Sequence, residues 1–125
     1  ALTVIHDCRN GELLQIPEAR QTLSRLCDEI SSILQAIPEA PPISDLWAQV
    51  NQVLTVTTDN VSSTLQDIRR GRRSEIDHLN GYLDELATAQ HIPCPVNSSV
   101  LQQLRVIESR AIRAHPPAGG ERPRP

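Results

Sequence analysis

No lysine and no methionine occur among the 125 residues, so every basic side chain of this sequence is an arginine. Lacking lysine, the chain has no Schiff-base amine, no lysine general acid and no P-loop lysine to grip a phosphate. Lacking methionine, Ala1 is not an untouched translation start, and the chain is expected to be processed or a piece of something longer. Phenylalanine is missing too, leaving Trp47 and Tyr82 as an aromatic content of 2% beside 38% hydrophobic residues. A core built from Leu, Ile, Val and Ala favours helices over a sheet. The net charge of −3 removes the broad attraction to polyanions that marks nucleic-acid binders, and no such partner is expected. Cys8, Cys27 and Cys94 are odd in number and far apart, with no CxxC and no histidine at a ligand interval. That spacing argues against a disulfide framework or a metal site and for thiols kept reduced in a cytoplasmic protein. No apolar run approaches the roughly 18 residues that span a bilayer, and no leader-like segment opens the chain, so no membrane partner is expected.

The length suits one domain. Its opening apolar patch, Leu2, Val4 and Ile5, breaks at Arg9-Asn10-Gly11, which reads as a helix end followed by a turn. From Pro17 the pattern is helical: proline suits the first helical position, Glu18 complements the positive end, and Leu23, Leu26, Cys27, Ile30 and Leu34 share one side. This helix must stop before Pro38, and Pro41-Pro42 makes a rigid linker. Ser44 or Asp45 is expected to cap a second helix with the stripe Leu46, Trp47, Val50, Val53 and Leu54. Asp59 or Asn60 is expected to cap a short third helix carrying Val61, Leu65 and Ile68, and Gly71 interrupts it. A fourth runs from Ser74 with Ile76, Leu79, Leu83, Leu86 and Ala87 on one side. A fifth begins at Asn97 or Ser98 and turns Val100, Leu101, Leu104, Ile107 and Ile112 inward. With no strand alternation, the fold class is all-α, with five or six helices over residues 1–114. Residues 115–125, rich in Pro, Gly and Arg, have little to bury and read as a disordered tail.

Few residues carry chemistry on their own. Arg69-Arg70-Gly71-Arg72-Arg73 could grip a phosphate, yet Asp67, Glu75 and Asp77 flank it, and arginine at a helix end stabilises the dipole without any ligand. Glu75 and Asp77 lie on different sides of a helix and make a poor acid/base dyad, and periodicity alone makes Glu75 a cap. Gly81 within a helical stretch costs about 1 kcal/mol relative to alanine, which points to a packing or close-approach reason. The serines and histidines give no defensible nucleophile and base pair. No GxGxxG follows a strand, so no dinucleotide loop lies within the chain.

Taken in order, the strings Ser62-Ser63-Thr64-Leu65-Gln66-Asp67-Ile68, Gly71-Arg72, Ser74-Glu75-Ile76-Asp77, Leu79-Asn80-Gly81 and Pro93-Cys94-Pro95-Val96-Asn97 resemble the C-terminal domain of the ketopantoate reductases. Leu2-Thr3 and Cys8-Arg9-Asn10-Gly11-Glu12-Leu13-Leu14 resemble the start of the same domain. The likeness runs from Ala1 to about Arg110; Ser74 stands where threonine is common, and Cys94 where a small polar residue is common.

The resemblance implies a helical domain like that of 6-phosphogluconate dehydrogenase, closing on an N-terminal Rossmann domain that binds NADPH. It implies reduction of ketopantoate (2-dehydropantoate) to pantoate, on the way to pantothenate and coenzyme A, with a second copy as a candidate partner in a homodimer. The family's proton-donating lysine would stand upstream of Ala1, so no catalytic residue is expected here and the chain alone is expected to be inactive. By the same resemblance Asn10 and Ser63 bind substrate, Glu75 stands at the cleft beside the cofactor, and Asn60 is a further candidate near them. Neutral Asn and Ser side chains orient a keto acid without competing for protons. The alternative expectation is a stand-alone helical interaction or dimerisation module derived from that domain, pairing through its exposed cleft face.

Overall fold

The computed structural model describes residues 1–39 and 45–115, apart from the side chain of Asp77. The expected Pro41-Pro42 linker and all but the first residue of the expected tail lie outside the described residues. Six α-helices and no strand are found among the described residues, in agreement with the all-α expectation. They are α1 (Leu2–His6), α2 (Pro17–Gln35), α3 (Leu46–Val56), α4 (Ser63–Arg69), α5 (Tyr82–Ala89) and α6 (Pro95–Ala114). A 3₁₀ turn, Asn10–Leu14, precedes α2, and a π turn, Asp77–Gly81, leads into α5.

Helix α6 is the centre of the packing: it lies against α1, α2, α4, α5 and the π turn. Its buried residues Val100, Leu101 and Leu104 meet Leu2 and Val4 of α1, Leu26 of α2, Leu65 and Ile68 of α4, and Ile76 in one aliphatic core. Branched side chains at helical spacing build this core without an aromatic ring. Helix α6 begins at Pro95, earlier than Asn97 or Ser98, because proline suits the first helical position and a carboxylate from α2 closes that end. The Glu29 side chain accepts from the backbone N–H of Val96 and of Asn97, each at 2.8 Å. Asn97, expected at the start of the helix, instead lies within its first turn and is 1% exposed inside the fold.

Buried Asn97 explains the π turn. Its Nδ2 donates to the Asn80 carbonyl at 2.9 Å and to Asp84 Oδ1 at 2.7 Å, while its Oδ1 accepts from Asn80 Nδ2 at 2.8 Å. The turn inserts a residue into the helical register, so the face expected from Ser74 onward is re-phased. Ile76 and Ala87 remain buried, but Leu79 turns outward, 55% exposed.

Asp45 caps α3 as expected, accepting from Ala48 N–H at 3.0 Å. The apolar stripe expected to bury itself there does not: α3 contains no buried residue, and Val53 and Val56 are 59% and 79% exposed. Among the described elements the helix rests on the 3₁₀ turn and α2, with Leu54 packed against the core. Helix α4 starts later than expected, because Ser62 rather than Asp59 or Asn60 accepts from its free amides, at Leu65 N–H.

Candidate functional site

Asn10 and Gly11 open the 3₁₀ turn, where a simple turn was expected, and the reason is a backbone ladder to the segment between α3 and α4. The Asn10 N–H donates to the Asn60 carbonyl and the Gly11 N–H to the Thr58 carbonyl, each at 3.0 Å. Arg9 Nη1 adds a bond to the Asp59 carbonyl, and Glu12 Oε1 closes the turn by accepting from Arg9 N–H. Gly11 is required at this approach, since a Cβ there would stand 2.9 Å from Thr58 Cα. The ladder carries Asn10 to the approach to α4, where the chain passes through Asn60 and the Ser62 cap to Ser63.

Within this patch the side chains divide into tied and open groups. Asn10 Nδ2 donates to Thr57 Oγ1 at 3.0 Å, and Thr57 Oγ1 donates to the Val53 carbonyl at 2.7 Å. Ser62 Oγ is held by Leu65 N–H and by Thr3 Oγ1 at 2.7 Å. Ser63 is exposed at the first position of α4, and its hydroxyl has no hydrogen-bond partner among the described residues. Two adjacent serines thus do different work: Ser62 holds the helix to α1, and Ser63 faces outward.

Glu75 stands apart from this pair, exposed at the entry to the π turn. Its carbonyl accepts from His78 and Leu79 N–H, and its carboxylate has no partner among the described residues. The preceding residue is anchored: Ser74 N–H and Oγ both donate to Glu108 Oε2 of α6, at 2.8 and 2.6 Å. No hydrogen bond joins Glu75 to Asn10 or Ser63 among the described residues.

The remaining candidates take structural parts. Arg69, in the last turn of α4, pairs with Asp7 at 3.0 Å on an exposed surface, where such a pair contributes at most about 1 kcal/mol. Gly71 adopts φ 67° with His115 against it, a conformation suited to glycine after a helix. Burial raises the thiols of Cys8, Cys27 and Cys94 above the ordinary range, and nearby carboxylates add to this: Glu12 and Asp7 at Cys8, Asp28 at Cys27, and Asp84 and Glu29 at Cys94. At Cys94, hydrogen bonds to Ser98 and Asp84 pull in opposite directions. An open cleft of about 740 Å³ between Leu14, Pro17, Arg20 and Trp47 contains none of Asn10, Ser63 or Glu75. No helix among the described residues is long and apolar enough to cross a membrane.

Sequence reading missed Thr57 and Thr3. The run Thr55-Val56-Thr57-Thr58 reads as a weak helix end, and its recoverable signal was threonine four residues after a helical carbonyl, where its hydroxyl can bond back.

Comparison with known proteins matches this helical unit to a known family. Residues 1–108 match the family described as ketopantoate reductase PanE/ApbA C terminal. A 2-dehydropantoate 2-reductase of Shigella flexneri is 37% identical over 108 residues, 86% of this chain and 35% of the relative. That of Salmonella typhi is 32% identical over 124 residues, 99% of this chain and 39% of the relative. The crystal structure of a PanE/ApbA family ketopantoate reductase from Ralstonia eutropha JMP134 superposes with a TM-score of 0.80 at 28% identity, covering 88% of this chain and 37% of that one. The chain thus spans little more than a third of the relatives it matches. The six-helix fold with α6 at its centre and this match over residues 1–108 together establish that the chain belongs to the ketopantoate reductase C-terminal domain family.

Proposed function

We propose that this chain is the substrate-side domain of an NADPH-dependent 2-dehydropantoate 2-reductase, which reduces ketopantoate to pantoate for pantothenate and coenzyme A synthesis. Residues 1–114 form that domain, and its working partner is the protein's N-terminal Rossmann domain. The observation that carries the reading is the backbone ladder from Asn10-Gly11 to Thr58-Asn60, which draws together the segments bearing Asn10 and Ser63. Both present neutral polar groups with unused hydrogen-bonding capacity. Such groups hold and orient a keto acid while leaving its protonation to another residue.

NADPH supplies the hydride when bound. Toward it this chain offers Glu75, an exposed, unpartnered carboxylate that accepts hydrogen bonds only. An acceptor of negative charge fits the hydroxyl- and amide-bearing parts of a dinucleotide and repels its phosphates. Neither Gly11 nor Gly71 forms a phosphate loop among the described residues: Gly11 is packed on Thr58 and Gly71 on His115. With no lysine in the sequence, the family's proton donor must come from elsewhere, and the chain does not turn over by itself. Titration of the ¹⁵N-labelled chain with ketopantoate should shift the Asn10, Asn60 and Ser63 resonances; shifts confined to the Trp47 cleft would overturn the assignment.

A second reading, a self-associating helical module, draws on the uncovered valines of α3. Light scattering decides it: that reading requires a concentration-dependent dimer lost in Val53→Ser/Val56→Ser, and a monomer throughout removes it.

A further inference from the structure

The hydroxyl of Thr57 lies 2.7 Å from the Val53 carbonyl oxygen. A carbonyl cannot donate, so the hydroxyl proton must point at it, and Thr57 Oγ1 is left as an acceptor toward Asn10. The Asn10 amide can then meet it only through Nδ2, as it does at 3.0 Å. The Asn10 backbone is pinned as well, by its N–H on the Asn60 carbonyl. Asn10 Oδ1 accepts from no described donor, and no buried side-chain oxygen or nitrogen among the described residues lacks a partner. Asn10 Oδ1 is therefore open to solvent, turned away from Thr57.

We propose that Thr57 is a positioning residue that fixes the amide of Asn10 with Oδ1 outward, so that the substrate group seated on Asn10 is a hydrogen-bond donor, a hydroxyl, rather than a carboxylate. The inference rests on the substrate reading of Asn10 and adds to it the orientation of the amide and the substrate group it selects. A flipped amide would present two N–H groups to the same place and favour an anion. Thr57 thereby converts an ambivalent side chain into one that discriminates 2-keto acids carrying a hydroxyl from those without it. A site built to bond a hydroxyl rejects the analogue lacking it, because its own polar group is then left unpaired.

Two measurements test this. In the ¹⁵N-labelled 125-residue chain, the Asn10 side-chain amide should be ordered and one of its protons slow to exchange. Thr57→Val, of nearly the same shape, should lose both properties, and Thr57→Ser should keep them. An Asn10 amide unchanged by Thr57→Val overturns the positioning. In the reductase with its nicotinamide-binding half in place, Thr57→Val should raise KM for ketopantoate about three- to tenfold, the effect of one lost neutral hydrogen bond, with kcat within about twofold. It should also shrink the preference for ketopantoate over the analogue lacking its hydroxyl, and Thr57→Ser should restore both. If Asn10→Ala raises KM but Thr57→Val leaves KM and preference intact, the positioning is overturned and the site reading survives. If Asn10→Ala leaves KM unchanged, the site reading fails and takes the functional half of the inference with it.

Discussion

Replacing Asn97 by alanine strikes the polar knot that holds α6 to the π turn. The substitution removes bonds at 2.8 Å to Asn80 Nδ2, 2.9 Å to the Asn80 carbonyl and 2.7 Å to Asp84 Oδ1. Each neutral bond is worth about 1 kcal/mol net and the bond to the carboxylate about 1.5 to 3. Asp84 keeps Ser98 Oγ and Cys94 Sγ as donors, and half-buried Asn80 can recruit water, which reduces the loss. The expected cost is about 3 kcal/mol, a change of more than about a hundredfold in the folding equilibrium and a large part of the roughly 5 to 15 kcal/mol that stabilises an ordinary domain. Urea unfolding followed by circular dichroism reads it: with an m value of about 1.5 kcal/mol/M, the midpoint falls by about 2 M. Exposed Ser99→Ala, on the same helix, should shift the midpoint by less than about 0.3 M. Asn97→Asp, which buries a second carboxylate against Asp84, should be unstable at neutral pH and recover as the pH falls, starting above the ordinary carboxylate range and complete by about 4. A midpoint loss under about 0.5 M for Asn97→Ala would refute the view that this knot fixes the π turn.

Other consequences follow from burial and contact. Leu104, at 0% exposure in α6, should cost about 2 to 5 kcal/mol when cut to alanine, whereas Val56→Ala at 79% exposure should stay within about 0.5, both by urea unfolding. Gly11→Ala should destabilise by about 1 to 3 kcal/mol and lose the slow exchange of the Asn10 and Gly11 amides, since the added methyl meets Thr58. The buried thiols of Cys8 and Cys27 titrate above the ordinary range, so the unfolded chain deprotonates first as pH rises. Their contribution to stability is complete below about pH 8.5 and declines above it, and replacing both by alanine should flatten the urea midpoint between neutral pH and about pH 10.

Much of the fold was legible because local chemistry and packing agree. Pro17, Glu18 and the Leu23-to-Leu34 spacing delimit α2, and the structure places that helix over Pro17–Gln35. Periodicity fails where a distant residue supplies the deciding bond. Asn97 re-phases the helix after Ile76, so Leu79 faces outward, and nothing local to Leu79 announces this. Glu29, some seventy residues away in the chain, provides the cap that lets α6 begin at Pro95. The stripe on α3 was read correctly as apolar, but periodicity says which residues share a face and not whether anything covers it. At the candidate site, Asn10 and Ser63 stand out only through the family resemblance and not through periodicity, and the fold ties their segments together through Asn60 and Thr58. Thr57 escaped notice because its importance lies in which atom of Asn10 it engages, a matter of three-dimensional hydrogen bonding.

The proposal to be tested is that this chain contributes substrate-binding and cofactor-side groups to a reductase completed by a Rossmann domain. The most direct measurement is ketopantoate-dependent oxidation of NADPH after mixing the chain with a separately made Rossmann half that includes the lysine-bearing helix. Neither part alone should oxidise NADPH, the mixture should, and Ser63→Ala or Glu75→Ala should abolish that oxidation. Oxidation by this lysine-free chain alone, or a mixture indifferent to both substitutions, would contradict it.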